Sequence, residues 1–253
     1  SGEAEPVELV VFAAASMTET LTEIADLYKN AAPNVTLTFN FGSSGTLLTQ
    51  IEEGAECDLF ISAASTQMNA LDGTLAQDVE KNPDGLDMLV PGSRIDLLEN
   101  KVTLAVPEGN PKGIESFDQL AQLLADGAVF LAMGNSDVPV GQYTQKILAY
   151  YDLDEAALAA AGVITYGSNV KEVTTQITEG SVDAGVVYCT DAYSAGLTPV
   201  DEAPKEMCGQ VIYPAAVMKA APHADAAKAF LAYLQTEEAM TVFEGVGFSA
   251  VAQ

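Results

Sequence analysis

Along the first third of the chain, hydrophobic positions alternate between short continuous runs and a helical spacing. Val7–Ala14 (VELVVFAA) is a β-branched run and predicts a strand. Leu21, Ile24, Ala25 and Tyr28 then recur at helical spacing and stop near Pro33. Val35–Phe41 alternates as a strand, Leu47, Leu48 and Ile51 predict a helix ending near Gly54, and Asp58–Ala63 (DLFISA) predicts a third strand, with a helix over Met68–Leu75. This β-α-β-α-β order predicts an α/β fold with parallel strands.

The same alternation returns later. Strands are predicted over Val102–Pro107, Val129–Met133, Ile164–Tyr166 and Ala184–Tyr188. Helices are predicted after Ser116, from Pro139 to Tyr150, over Glu155–Ala161, and from Asn169 to about Glu179. Val211–Met218 (VIYPAAVM) is a late strand whose internal proline predicts a place near an edge or crossover, and Ala224–Leu234 and Glu237–Glu244 are terminal helices. Two zones, Asn82–Asn100 and Gly196–Gly209, are irregular and rich in Pro and Gly. They would suit chain crossings between two α/β lobes that hinge. The expected partition is a tail over 1–6, a first lobe over 7–100 with 209–253, and a second lobe over 101–208.

Four predicted helices begin in small polar or turn residues: Ala13–Glu19, Gly42–Thr46, Val138–Tyr143 and Gly167–Glu172. Ser16 with Glu19, and Asn169 with Glu172, fit capping pairs. Each start on its own fits a purely local cap. Together they offer unpaired N–H groups and partial positive charge to a small anion. Charge sharpens the point, because 36 acidic residues stand against 10 basic ones, for a net charge of −26. That balance excludes nucleic acid and anionic membranes as partners and leaves no long-range attraction for anions. An anion site here must work through short hydrogen bonds. A 49% hydrophobic content excludes a disordered chain, and no apolar run is long enough to span a membrane.

No Ser-His-Asp set, H-E-x-x-H or G-x-S-x-G occurs, and the Ser-Ser-Gly turn lacks a P-loop lysine. No catalytic residue, cofactor site or direct metal ligand set is therefore expected. His223 reads as a helix-cap residue, and Asp137 and Asp191 are the carboxylates an enzyme on this scaffold would have to use. Tyr188, ending an apolar strand, reads either as a core tyrosine or as a neutral O–H donor. Cys57, Cys189 and Cys208 allow three disulfide pairings, of which Cys189–Cys208 closes the shortest loop, or three free thiols. Ser1–Pro6 reads as a linker left by a removed secretory or lipoprotein signal, as an artificial remnant, or as a frayed terminus.

The segments FAAAS (Phe12–Ser16), FGSSGTL (Phe41–Leu47), DLFISA (Asp58–Ala63), GNSDVPVGQY (Gly134–Tyr143) and VYCTDA (Val187–Ala192), in this order, resemble the molybdate-binding proteins of bacterial ABC importers. The resemblance implies a two-lobed periplasmic-binding-protein fold of type II, each lobe a mainly parallel sheet flanked by helices, with the ligand in the cleft between lobes. It implies molybdate or tungstate as ligand, a membrane permease with its cytoplasmic ATPase as partner, and a monomer in the periplasm or lipid-anchored on the outer face of the cytoplasmic membrane. The family's ligand set, two serines, two backbone N–H groups and a tyrosine hydroxyl, maps onto Ser16, Ser44, Val140, Val170 and Tyr188. The family often has Ala at Val140, and some members have a third serine at Gly45.

All five positions offer neutral donors. A donor-only site rejects protonated phosphate, whose O–H would lack an acceptor. Sulfate is fully ionised too, so rejecting it requires a cradle of fixed size. A carrier for sulfate or another tetrahedral oxyanion is the alternative function, and an enzyme on the same scaffold the third.

Overall fold

The computed structural model describes residues 4–253, so the first part of the expected 1–6 tail lies outside the described residues. In chain order the elements begin with β1 (Val7–Ala14), a 3-10 turn (Ala15–Met17), α1 (Thr18–Ala31), β2 (Val35–Gly42), α2 (Ser44–Glu52), β3 (Leu59–Ile61) and α3 (Ser65–Asn69). There follow β4 (Ile95–Asn100), β5 (Val102–Ala105), α4 (Phe117–Ala125), β6 (Leu131–Gly134), α5 (Pro139–Tyr150), α6 (Glu155–Ala160), β7 (Ile164–Gly167) and α7 (Val170–Thr178). The chain finishes with β8 (Ala184–Tyr188), α8 (Cys189–Ser194), β9 (Pro199–Glu202), α9 (Lys205–Cys208), β10 (Ile212–Val217), α10 (Ala224–Leu234), α11 (Glu237–Glu244) and β11 (Phe248–Ser249).

Two compact units result: Ser1–Glu99 with Ile212–Gly245 and Ser249–Gln253, and Asn100–Val211 with Val246–Phe248. The short return of 246–248 to the second unit has no counterpart in the sequence expectation. One sheet is six-stranded, ordered β11-β4-β10-β3-β1-β2, and the other five-stranded, ordered β7-β6-β8-β5-β9.

In the first unit β1 runs parallel to β2 along its whole length, from Val7 against Val35 to Ala14 against Gly42, and parallel to β3. In the second, β6 runs parallel to both β7 and β8. The ladders of β10 with β3 and β4, and of β5 with β8 and β9, are antiparallel, so both sheets are mixed. Strands β1, β3, β6 and β8 are mostly buried apolar runs, as in sheets covered by helices, whereas no residue of the edge strand β2 is fully buried. Phe12 and Phe60 pack with Leu47 and Ile51 of α2, and Ala132 and Val187 with Val173 and Ile177 of α7. Each helix thus packs across strands neighbouring the one it follows, α2 over β1 and β3 and α7 over β6 and β8.

Strand β10 corrects one expectation. Pro214 predicts an edge position, yet β10 lies inside the sheet between β4 and β3. The ladder with β4 slips at Tyr213/Pro214, and Ser62 N–H donates to Pro214 O at 3.0 Å. The bulge carries the missing N–H out of the ladder while the carbonyl stays in use. Strand β4 lies inside one predicted irregular zone and β9 and α9 inside the other. All three cysteines are free thiols. Burial pushes Cys57 up to about 12 and Cys208 up to about 11. No helix among the described residues is long and apolar enough to cross a membrane.

Candidate functional site

Every sequence-predicted donor lies at or just beyond the C-terminal end of a parallel strand, where open α/β sheets place their ligands. In the first unit, Ser16 stands two residues past the end of β1 and Ser44 two past the end of β2. Those strand ends are paired, Ala14 against Gly42, so adjacent strands bring both serines to one edge. In the second unit, Val140 follows β6, Val170 follows β7 and Tyr188 ends β8, three strands that are neighbours in the order β7-β6-β8.

The capping role expected for Ser16 is not found. It sits within the 3-10 turn, the N-cap of α1 is Met17, and no side chain caps that helix. The tight turn moves the start of α1 past Ser16 and turns its hydroxyl toward Tyr213, with the two oxygens 2.9 Å apart. The Ser-Ser pair divides its work. Ser43 caps α2, accepting from Thr46 N–H at 3.3 Å, while Ser44 Oγ accepts the Ala63 N–H at 2.9 Å. A serine whose oxygen already accepts a backbone N–H has its proton available to donate.

In the second unit two of the three candidate donors are backbone groups. Pro139 opens α5, as a first-turn proline should, and contributes no N–H. Gly141 and Gln142 both donate to Val138 O, at 2.8 and 3.2 Å. The Val140 N–H finds no acceptor among the described residues, although Val140 is fully buried. A Cβ on Gly141 would fall onto the carbonyl oxygens of Gly134 and Asn135, so the helix start lies against the strand end only because that residue is glycine. At α7, Asn169 caps by accepting from Glu172 N–H at 2.9 Å. The Glu172 carboxylate accepts from Ser168 N–H and Oγ at 2.7 and 2.8 Å, which holds it below the ordinary carboxylate range. It is thereby tied to the residue before the cap, and the Val170 N–H likewise has no acceptor among the described residues.

Tyr188 is partly buried, its ring edge-on to Tyr143 with centroids 6.3 Å apart. Lys146 Nζ lies 5.3 Å from the Tyr143 ring centroid. The Tyr188 N–H donates to Asp191 Oδ2 at 3.0 Å, and burial pushes that carboxyl up to about 6 against the pull of this hydrogen bond. Asp191 therefore holds the turn that carries Tyr188. Asp137 is exposed, and its own N–H is bonded to Asn135 Oδ1 at 2.9 Å. His223 precedes α10 without a side-chain cap bond. No cluster of potential metal ligands occurs among the described residues.

The residues missed from sequence are those that orient the donors. Tyr213 lies some two hundred positions from Ser16, and no periodicity announces a hydroxyl that reaches across strands. Ala63 acts through its N–H alone, which no residue type signals.

Residues 9–249 match the family of bacterial extracellular solute-binding proteins. YvgL of Bacillus subtilis, named as an ABC transporter substrate-binding lipoprotein, is 36% identical over 248 residues, covering 96% of this chain and 87% of that protein. The molybdate-binding protein ModA of Haemophilus influenzae is 31% identical over 253 residues, covering 98% and 92%. A solved substrate-binding domain from Clostridium difficile, named for a molybdenum ABC transporter, matches with a TM-score of 0.82 and 32% identity over 97% of this chain and 100% of that one. The chain belongs to the bacterial extracellular solute-binding proteins, among relatives that include ModA.

Proposed function

We propose that this protein captures molybdate or tungstate outside the cytoplasmic membrane and delivers it to an ABC permease driven by a cytoplasmic ATPase, acting as a monomeric carrier and not as a catalyst. One oxyanion takes the hydroxyls of Ser16, Ser44 and Tyr188 and the N–H groups of Val140 and Val170. The observation that carries this reading is the buried Val140 N–H, which has no acceptor among the described residues, at the helix start that follows a parallel strand, beside two more candidate donors after the neighbouring strands. A buried N–H without a partner is costly, and an oxyanion supplies the acceptor. The molybdate-binding relative supports the choice of ion.

Charge-assisted hydrogen bonds of this kind contribute about 1.5–3 kcal/mol each. Titration calorimetry of the ligand-free protein with molybdate, tungstate, sulfate and phosphate tests the reading. One-to-one binding of molybdate and tungstate is expected, with sulfate about a thousandfold weaker, on the order of 4 kcal/mol. Equal binding of sulfate would make this a general oxyanion carrier. Ser16→Ala and Ser44→Ala should each weaken molybdate by about 1–3 kcal/mol, and wild-type affinity in both would remove the site assignment.

A further inference from the structure

We propose that Tyr213 is a positioning residue of the oxyanion site: its hydroxyl sets the direction in which Ser16 donates. The inference rests on the reading of Ser16 as a ligand donor. A serine hydroxyl rotates, and can donate or accept. Ser44 is fixed by the Ala63 N–H, which can only donate. Ser16 has another hydroxyl opposite it at 2.9 Å, and its polarity depends on which oxygen gives the proton. A phenol is a stronger acid than an alkyl hydroxyl, and we assign the shared proton to Tyr213, so that Ser16 Oγ accepts from it and donates onward. Such a chain polarises each member and strengthens the last donor.

The geometry is built for this. Tyr213 is 4% exposed, so its hydroxyl is held inside the protein. It stands on β10, separated from β1 by β3, at the bulge where the ladder with β4 slips. Bulges re-aim side chains. With Tyr213 filling an acceptor direction of Ser16 and Ala63 one of Ser44, both serines of the first unit face the ligand as donors. Tyr213 then serves selection as well as affinity, because it opposes oxyanions that carry a proton.

The test is a double-mutant cycle of Tyr213→Phe and Ser16→Ala, titrated with molybdate and with inorganic phosphate, with thermal unfolding to check that each variant folds. Tyr213→Phe should weaken molybdate about tenfold and narrow the preference for molybdate over phosphate. The phenylalanine should have no further effect once Ser16 is alanine. A wild-type affinity and preference in Tyr213→Phe, or a full loss repeated on the Ser16→Ala background, would overturn the proposal while Ser16 stays in the site. Wild-type binding by Ser16→Ala would instead remove the site reading itself, and this proposal with it. If Tyr213→Phe does not fold, site-specific Tyr213→3-fluorotyrosine keeps the shape with a more acidic phenol. It should bind molybdate at least as tightly as wild type, and weaker binding would mean that Tyr213 accepts.

Discussion

The two units present their candidate donors in different ways. In the first, the candidate donors are side-chain hydroxyls, each aimed by a partner: Tyr213 for Ser16 and the Ala63 N–H for Ser44. In the second, two of the three are backbone N–H groups at helix starts, aimed by the helix itself. A hydroxyl can be removed by one substitution that leaves the fold alone. A backbone N–H cannot be removed that way, only displaced, so its weak points are the residues that seat the helix. The first unit should therefore respond to deletion of polar atoms, and the second to steric change.

Gly141 is where this contrast should be greatest. An added Cβ meets two carbonyl oxygens, and neither can yield as a flexible side chain would. Gly141→Ala should lower stability by about 3 kcal/mol or more and lose at least a factor of ten in molybdate affinity, since the Val140 N–H moves with the helix. Val140→Ala is the matched control. It opens a void at a fully buried position and should lower stability by about 1–3 kcal/mol, yet leave molybdate affinity near wild type, because the proposed contact is through the backbone. Denaturant titration and calorimetry on the pair separate the two effects. If Val140→Ala loses affinity as Gly141→Ala does, the donor is not the Val140 backbone.

Tyr188→Phe is the intermediate case, the only member of the second unit's set that can lose its donor atom. A loss of about 1–2 kcal/mol is expected, comparable to Ser44→Ala, with both proteins unfolding near the wild-type temperature. No loss in Tyr188→Phe would confine the hydroxyl donors to the first unit.

The sequence and the structure agree most where periodicity carries the signal. The strands Val7–Ala14 and Ala184–Tyr188 and the helices Pro139–Tyr150 and Glu237–Glu244 have the bounds expected from apolar runs, a first-turn proline and terminal spacing. Strand β4 was hidden inside a Pro- and Gly-rich zone, and β9 lies in another, because short strands paired antiparallel to distant partners leave little local pattern. The helix starts are legible because they have a residue signature, whereas the choice of five candidate donors among them is what the family resemblance implies. The orientation of those donors is not legible. The S-x-x-E pattern at Ser16 predicts a cap, and only the fold reveals that a 3-10 turn shifts the helix start and frees that hydroxyl for Tyr213.

Asp191 sharpens the comparison from another side, since it holds the turn of the side-chain donor in the unit that otherwise relies on backbone. Its folded-state pKa is about 6, raised by burial above the ordinary value of about 3.9. Between those values the folded chain binds more protons than the unfolded one. The contribution of Asp191 to stability is therefore fully present below about pH 4 and is lost as pH rises through about 6. Asp191→Asn keeps an acceptor for the Tyr188 N–H but has no charge to bury. The wild type should gain stability relative to this variant as pH falls from 7.5 to 5, measured as the difference in unfolding midpoint. A difference that does not change with pH would mean that Asp191 is not buried as a charged group.

The smallest effect is expected at Gly45, where the first unit could be extended in its own style. A Cβ there meets nothing within 4 Å, and the residue is exposed in the first turn of α2. Gly45→Ser should fold normally and gain a few tenths of a kcal/mol from better helix propensity. Its hydroxyl would have no fixed partner comparable to Tyr213 or the Ala63 N–H, so a change in molybdate affinity of less than about threefold is expected, because an unoriented hydroxyl must give up rotational freedom to donate. A tenfold gain would mean that a hydroxyl in this cradle needs no orienting neighbour, and would weaken the case that Tyr213 is what makes Ser16 a donor. The equivalent addition in the second unit, at Gly141, is the most damaging change considered. The added Cβ common to both changes meets nothing beside the side-chain donors of the first unit and two carbonyl oxygens beside the backbone donors proposed for the second.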